Sequence, residues 1–377
     1  MRAAGLRQPP HNRDPNSNCA PPLPAPAGGP AGGAGPPTHH IRLVDLLQRG
    51  GRSKCFRSVR PFRFGVLAES AQTAEQLLDT ARRAEAAGFS ILLIRDHLVQ
   101  DPFPHQLGPL TALAAVASAT RTLRVGTLVL SNDFRHPAVL AKEVATLDVL
   151  SGGRVELGIG AGFLRRDYEE AGLPFDDPRD RVGRLEEALG LLKALFGPDP
   201  VTHHGQHYTV ERLDSFPRPV QRPHPPLQVA AARPRMLAIA AREADIVGLQ
   251  TVSTANGVLT DDPHHRSADA VADQIARVRE AAGGRFDQLE LSTTVTVVVT
   301  DDPISSACQL ARQRGWGGVT AREVLQMPSI FIGPVEHLVG LFHERRALYG
   351  ISYFVVSDRA LDTVAPLIPS LVTAVAP

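Results

Sequence analysis

Asp96 and His97 stand side by side directly after an apolar run, Ser90–Arg95 (SILLIR), that reads as a β-strand. A histidine at a strand end can take or give a proton near neutral pH. Asp96 is placed to orient it or to cap the next segment; the plainer alternative is a His97 that satisfies a loop carbonyl. A second group of residues concerns binding. Gly158, Gly160 and Gly162 alternate with Ile159 and Ala161 at the end of another β-rich run. Backbone with so little side-chain bulk either packs closely against a neighbouring strand or admits a flat ring system. The spacing is not the GxGxxG dinucleotide fingerprint, whose third glycine falls three residues on. Arg165, Arg166, Arg233 and Arg235 follow strand ends, where they can hold phosphate or carboxylate. Ala230–Arg235 also opens a helix, which adds backbone N–H donors for an anion.

Other chemistries find no support. HExxH, a Walker loop and GxSxG are all absent. His203, His204 and His207 look like a metal cluster, but they sit in an expected hairpin without a matching carboxylate or cysteine, so a solvated turn is the better reading and no metal site is expected. Cys19, Cys55 and Cys308 form no CxxC, which argues against a zinc site or a disulfide framework. Such sparse cysteine suits a reducing cytoplasm. No apolar run approaches the roughly 18 residues of a membrane helix. Net charge is +1, yet residues 1–60 carry nine Lys/Arg against Asp14 and Asp45, which leaves the rest of the chain at −6. A body of that sign offers no basic platform for nucleic acid.

The elements that must position these residues alternate in type. Residues 1–60 include the low-complexity run Pro21–Pro37 and read as a disordered extension, although their Arg-rich, acid-poor composition is also that of a transit peptide. Order is expected over residues 61–377. Phe62–Leu67 is the first strand; Thr73 and Gln76 fit a capping box, and Gly88 fits the helix end. Strands at Ser90–Arg95, Leu123–Leu130 and Arg154–Gly160 follow, joined by helices from Pro109 and Pro137. A helix over Asp180–Leu195 leads to an insertion, Val201–Val210, read as strand–turn–strand. The remaining strands are expected at Leu227–Ala231, Asp245–Leu249, Leu289–Thr300 and Ile351–Val356, with a polar insertion from Gln250 to about Arg266. Two helical pieces and a helix over Pro334–Tyr349 separate the last two strands. Eight strands each followed by a helix is the period of a (β/α)₈ TIM barrel, here with insertions after strands four and six. Its chemistry belongs at the C-terminal strand ends.

Four segments carry a family resemblance: IRDHL (Ile94–Leu98), Val125–Asp148 with HPAVLAKEVATLD, SGGRVELGIGAGF (Ser151–Phe163) and AAREADIVGL (Ala240–Leu249). The chain resembles the bacterial luciferase-like superfamily of flavin and deazaflavin oxidoreductases over roughly Pro61–Asp358, and is most like its coenzyme F420-dependent members. The resemblance implies a (β/α)₈ barrel with the ring bound across the strand tops. It assigns the proton role to His97 and places Asp96 beside the ring. It puts Leu128 and Val129 where relatives have a non-prolyl cis peptide behind the ring. Ala161 and Gly162 match the strand-four backbone near the ring, Arg166 helps hold the acidic tail, and Ala232 and Arg233 match the loop that receives the cofactor phosphate. Sugar-phosphate dehydrogenases of the family carry a catalytic Glu where this chain has Phe163, so an apolar or aromatic substrate is expected instead. The implied activity is hydride transfer between F420 and a small organic substrate. An FMN-dependent monooxygenase fed by a partner reductase and a non-catalytic flavin-binding barrel stay open. A flavin or F420 reductase and a second copy of the chain, as a homodimer, are the partners the resemblance implies.

Overall fold

The structure, a computed structural model, describes residues 60–104 and 107–372. The extension expected over residues 1–60 therefore lies, Arg60 apart, outside the described residues. Eight parallel strands follow one another around a closed barrel: β1 (Arg63–Leu67), β2 (Ile91–Ile94), β3 (Arg124–Thr127), β4 (Val155–Gly160), β5 (Leu227–Ala231), β6 (Ile246–Leu249), β7 (Glu290–Thr294) and β8 (Ile351–Ser357). Each pairs with the next, and β8 pairs with β1 to close the ring. The strands are buried on both faces, which is why they read as continuous apolar runs. Leu67, Ile91, Leu93, Ile246, Tyr353 and Val355 fill the interior, while Phe64, Leu92, Leu157, Val229 and Phe354 pack outward against the helices.

The helices are α1 (Ala74–Ala86), α2 (Pro109–Ala119), α3 (Pro137–Ser151), α4 (Arg165–Ala171), α5 (Pro178–Phe196), α6 (Pro234–Glu243), α7 (Ala268–Ala282), α8 (Pro303–Gln313), α9 (Ala321–Gln326) and α10 (Val335–Tyr349), with two short ones, α11 (Leu361–Val364) and α12 (Ile368–Val372), after β8. Local chemistry sets their ends. Thr73 and Gln76 form the capping box of α1, and Pro137 opens α3 behind His136, whose ring accepts the Ala138 N–H. The segment 201–213 is an antiparallel hairpin between α5 and β5. A second hairpin, Ser253–Ala255 with Val258–Thr260, follows β6.

The strand expected over Leu289–Thr300 is two strands. β7 stays in the barrel, and Thr296–Val299 leaves it to pair in parallel with Ile330–Gly333. That pair carries α8 and α9 and has its own small core around Leu310, Trp316, Val324 and Ile332. Four apolar residues, IFIG, carry too little periodicity to tell strand from helix, so a third insertion, after β7, went unread. At the N-terminal end of the barrel, Arg63 binds Glu156 and Glu290, and Arg124 binds Glu156 at 2.5 Å. Burial pushes the Glu290 carboxyl up in spite of Arg63. That end serves stability; the opposite end carries the loops that bear function.

Candidate active site

His97 lies just beyond β2, and its ring is held on three sides. Nδ1 is 2.8 Å from Oδ2 of Asp167. The imidazole stacks on Phe103, with centroids 4.4 Å apart and planes at 23°, and meets the edge of Phe163 at 5.7 Å. The Arg95 guanidinium lies 4.6 Å from the Phe103 centroid and binds Glu69. Nε2 has no partner among the described residues. Asp167 sits in the first turn of α4, directly after β4, and is 2% exposed. Its Oδ1 accepts the N–H groups of Leu98 (2.7 Å) and Val99 (3.0 Å). Burial raises its pKa, but the hydrogen bonds from His97, Leu98 and Val99 outweigh it and hold the carboxyl below the ordinary value.

The carboxylate on the His97 ring is thus Asp167 and not Asp96, for which the sequence left open orienting the histidine or capping the next segment. The Asp96 carboxylate accepts a two-pronged bond from Arg135, at 2.6 and 3.0 Å, and the Ser131 N–H at 3.1 Å. Neighbours in sequence part company here: Asp96 turns to Arg135 and Ser131, and His97 to Asp167. Asp96 ties the loop after β3 to the end of β2. Asp167 and Phe103 were both missed. The available signal was an acidic residue in the first turn of a helix that follows a strand end.

The peptide between Leu128 and Val129 is cis, and both residues are half-buried. β3 breaks there and pairs with β4 again at Leu130 and Ser131, one residue out of step. The glycines of β4 now divide. A Cβ at Gly158 would lie 1.9 Å from the Thr127 carbonyl oxygen. A Cβ at Gly162, where φ is +69°, would lie 1.8 Å from the Tyr168 hydroxyl. Packing against the chain's own atoms accounts for both. A Cβ at Gly160 would meet only the Val129 side chain, at 3.0 Å, so the space for a flat ring narrows to the ground before the bulge. Ala161 is half-buried beside it, and Arg181 binds the carbonyls of Ala161 (3.3 Å) and Gly162.

The expected anion-binding arginines also divide. Arg166 is exposed and committed to Asp101 and Glu170, each at 2.9 Å, so it is not a free clamp. Arg165 pairs with Glu169, lies over Phe175, and takes the Gly257 carbonyl on its backbone N–H, which docks the hairpin after β6 beside α4. Arg233 is exposed at the N-cap of α6 and makes no ion pair among the described residues; Ala232 is half-buried next to it.

A cavity of about 320 Å³ lies beyond the β3 end, lined by Asn132, Asp133, Arg135, Tyr168, Arg184 and Tyr208 among others. None of its walls is His97, Phe103, Phe163 or the β3 bulge. Burial pushes the Tyr168 hydroxyl up to about 12. The hairpin histidines, expected to lack carboxylates, have them: His203 binds Glu187 at 2.9 Å and His204 binds Glu211 at 3.1 Å. Even so, no cluster fit to hold a metal ion occurs among the described residues. Nor is any described helix long and apolar enough to cross a membrane.

Residues 56–326 match the luciferase-like monooxygenase family model. The chain belongs to the luciferase-like monooxygenase family. Among its relatives, the F420-dependent glucose-6-phosphate dehydrogenase of Microbacterium testaceum is 35% identical over 49% of this chain. The enzyme of the same name from Nakamurella multipartita is 33% identical over 61% of it. The matches span 55% and 66% of those relatives' own length, under two thirds in both cases. In fold, the coenzyme F420 dependent tetrahydromethanopterin reductase of Methanopyrus kandleri aligns with a TM-score of 0.64 at 19% identity, over 83% of this chain and 100% of the reductase. That likeness is one of fold: the (β/α)₈ barrel of the luciferase-like family.

Proposed function

We propose that this luciferase-like protein is an oxidoreductase that passes a hydride between coenzyme F420 and a carbon of a small organic substrate, with His97 handling the accompanying proton. The observation that carries the proposal is a half-buried histidine with one nitrogen on a carboxylate and the other open, at the end of the strand that pairs with β3, whose bulge Gly160 leaves uncovered. The names of the sequence relatives support F420 as the cofactor. Bound F420 supplies a two-electron hydride donor or acceptor. Leu128 and Val129 would lie behind its ring, Ala161 and Gly162 beside it, with Asp96 fixing the loop below. Ala232 and the unpaired Arg233 would receive its anionic tail. When a substrate alcohol is oxidised, Nε2 of His97 accepts the hydroxyl proton as the hydride departs; in the reverse direction it returns the proton. Phe163 and Phe103 flank the imidazole with apolar surface, which suits an apolar substrate face better than a sugar phosphate. A separate F420 or flavin reductase and pairing with a second copy of the chain belong to the same proposal.

Titrating the purified protein with F420 and, separately, with FMN tests it through quenching of cofactor fluorescence. F420 is expected to saturate and FMN is not. Arg233→Ala should weaken F420 binding about tenfold, a charge-assisted contact. Binding of FMN alone, with NADPH-dependent oxygen uptake, would replace the proposal with the monooxygenase reading. F420 binding with no turnover of any donor or acceptor would make the barrel a carrier.

A further inference from the structure

We propose that Asp167 is a positioning residue for His97: it fixes the neutral imidazole as the tautomer protonated on Nδ1, and so makes Nε2 the single proton acceptor of the site. The catalytic meaning rests on the function proposed above; the tautomer does not. An ionised carboxylate only accepts hydrogen bonds. Asp167 is 2% exposed and takes three donors, from His97 Nδ1, Leu98 N and Val99 N. A neutral His97 facing it must place its proton on Nδ1. The ring cannot turn away cheaply, because Phe103 stacks on its face and Phe163 meets it edge-on.

Neighbouring carboxylates offer no substitute base. Asp96 is held by Arg135 and Ser131. Glu69 is held by Arg95 and Ser357. Position 163, next to the histidine, is a phenylalanine. One dyad therefore does both halves of the proton work. In alcohol oxidation the C–H hydrogen leaves with its electron pair to bound F420, the O–H bonding pair stays on oxygen as the C=O bond forms, and the proton goes to Nε2. The resulting imidazolium donates Nδ1–H to Asp167 until Nε2 passes its proton to water.

Asp167→Asn tests this because it reverses one bond and keeps the others. Its carbonyl still accepts Leu98 and Val99, while its NH₂ faces Nδ1 and forces the ring proton onto Nε2. In ¹⁵N-labelled protein, the ring nitrogens of neutral His97 should report Nδ1–H in the parent and Nε2–H in Asp167→Asn. With F420 saturating, kcat should fall roughly a thousandfold or more, in line with removal of an orienting carboxylate elsewhere, with the F420 Kd unchanged. Asp167→Glu should recover most of kcat. An Nε2–H parent, or the same tautomer in both proteins, overturns the proposal. So does a kcat loss that tracks weaker F420 binding and a lower Tm with the tautomer unmoved, because Asp167 is then only a loop anchor. A tautomer swap in a protein that turns nothing over would sustain the positioning role and sink the hydride-transfer reading instead.

Discussion

Adding one methyl group at Gly162 separates packing from cofactor approach as the reason for the glycines of β4. An ideal Cβ there lies 1.8 Å from the Tyr168 hydroxyl and 2.7 Å from Ser131 Oγ. Tyr168 is 1% exposed, and a swing of its ring toward the cavity it borders would break the bonds of its hydroxyl. Its hydroxyl bonds Ser131 at 3.2 Å and Asp133 at 3.1 Å. Gly162→Ala must therefore hold a side chain at positive φ, overpack a buried ring and disturb two hydrogen bonds. Those effects are worth about 1 kcal/mol, about 1–3 kcal/mol and about 0.5 kcal/mol for each weakened bond. The expected loss is about 3–5 kcal/mol, measured by urea denaturation followed by circular dichroism. Tyr168→Phe removes the clashing oxygen and leaves ring carbon Cζ at 3.0 Å from the new methyl. In that background the same substitution should cost only about 2 kcal/mol, so the two changes couple by about 1–3 kcal/mol. A Gly162→Ala loss below about 1 kcal/mol, or strict additivity in the double variant, would refute the packing argument.

Two further outcomes follow from the same kind of bookkeeping. Glu85 accepts the N–H groups of Arg121, Thr122 and Leu123 at 2.6–2.9 Å, and although burial opposes it, these bonds lower its pKa from 4.5 to about 2. A depressed carboxyl stabilises the fold fully above pH 4.5 and loses that contribution as pH falls through about 2. Because Glu85 keeps contact with water, Glu85→Gln should cost about 1–2 kcal/mol at pH 7, and the gap to the parent should close in acid; a pH-independent gap would count against it. Arg135→Met leaves Asp96, 5% exposed, with the Ser131 N–H alone. The expected loss is about 2–4 kcal/mol, below the full figure for a buried pair because Arg135 is itself partly in water. Unfolding free energies from urea titrations within about 0.5 kcal/mol of each other would show that the pair does not hold the loop.

Legibility followed the range of the interaction. The capping box of α1 and the proline that opens α3 involve residues within one turn, and they stand where the residue types placed them. The alternation of eight strands with helices was equally plain, since each strand is buried on both faces. His97 was legible as a strand-end histidine, and the cis peptide at Leu128–Val129 only through family likeness. Partnerships across the barrel mouth were not. Asp167 is 70 residues from His97, and Arg135 is 39 from Asp96. Nothing local distinguishes the aspartate that orients the ring from the one that ties a loop. Arg166 and Arg233 likewise look alike as residue types, and only their surroundings commit the first to Asp101 and Glu170 and leave the second open.

By itself, then, the sequence determined the barrel, its caps and which strand ends carry reactive residue types, because apolar periodicity and capping act between near neighbours. The tertiary structure alone decided which carboxylate faces His97, why Gly158 and Gly162 lack side chains, and that the segment after β7 leaves the barrel. Each of those depends on contacts between residues beyond one another's local segment: Asp167 with His97 and Gly158 with Thr127 across neighbouring strand ends, Gly162 with the helix that follows it, and Thr296–Val299 with Ile330–Gly333.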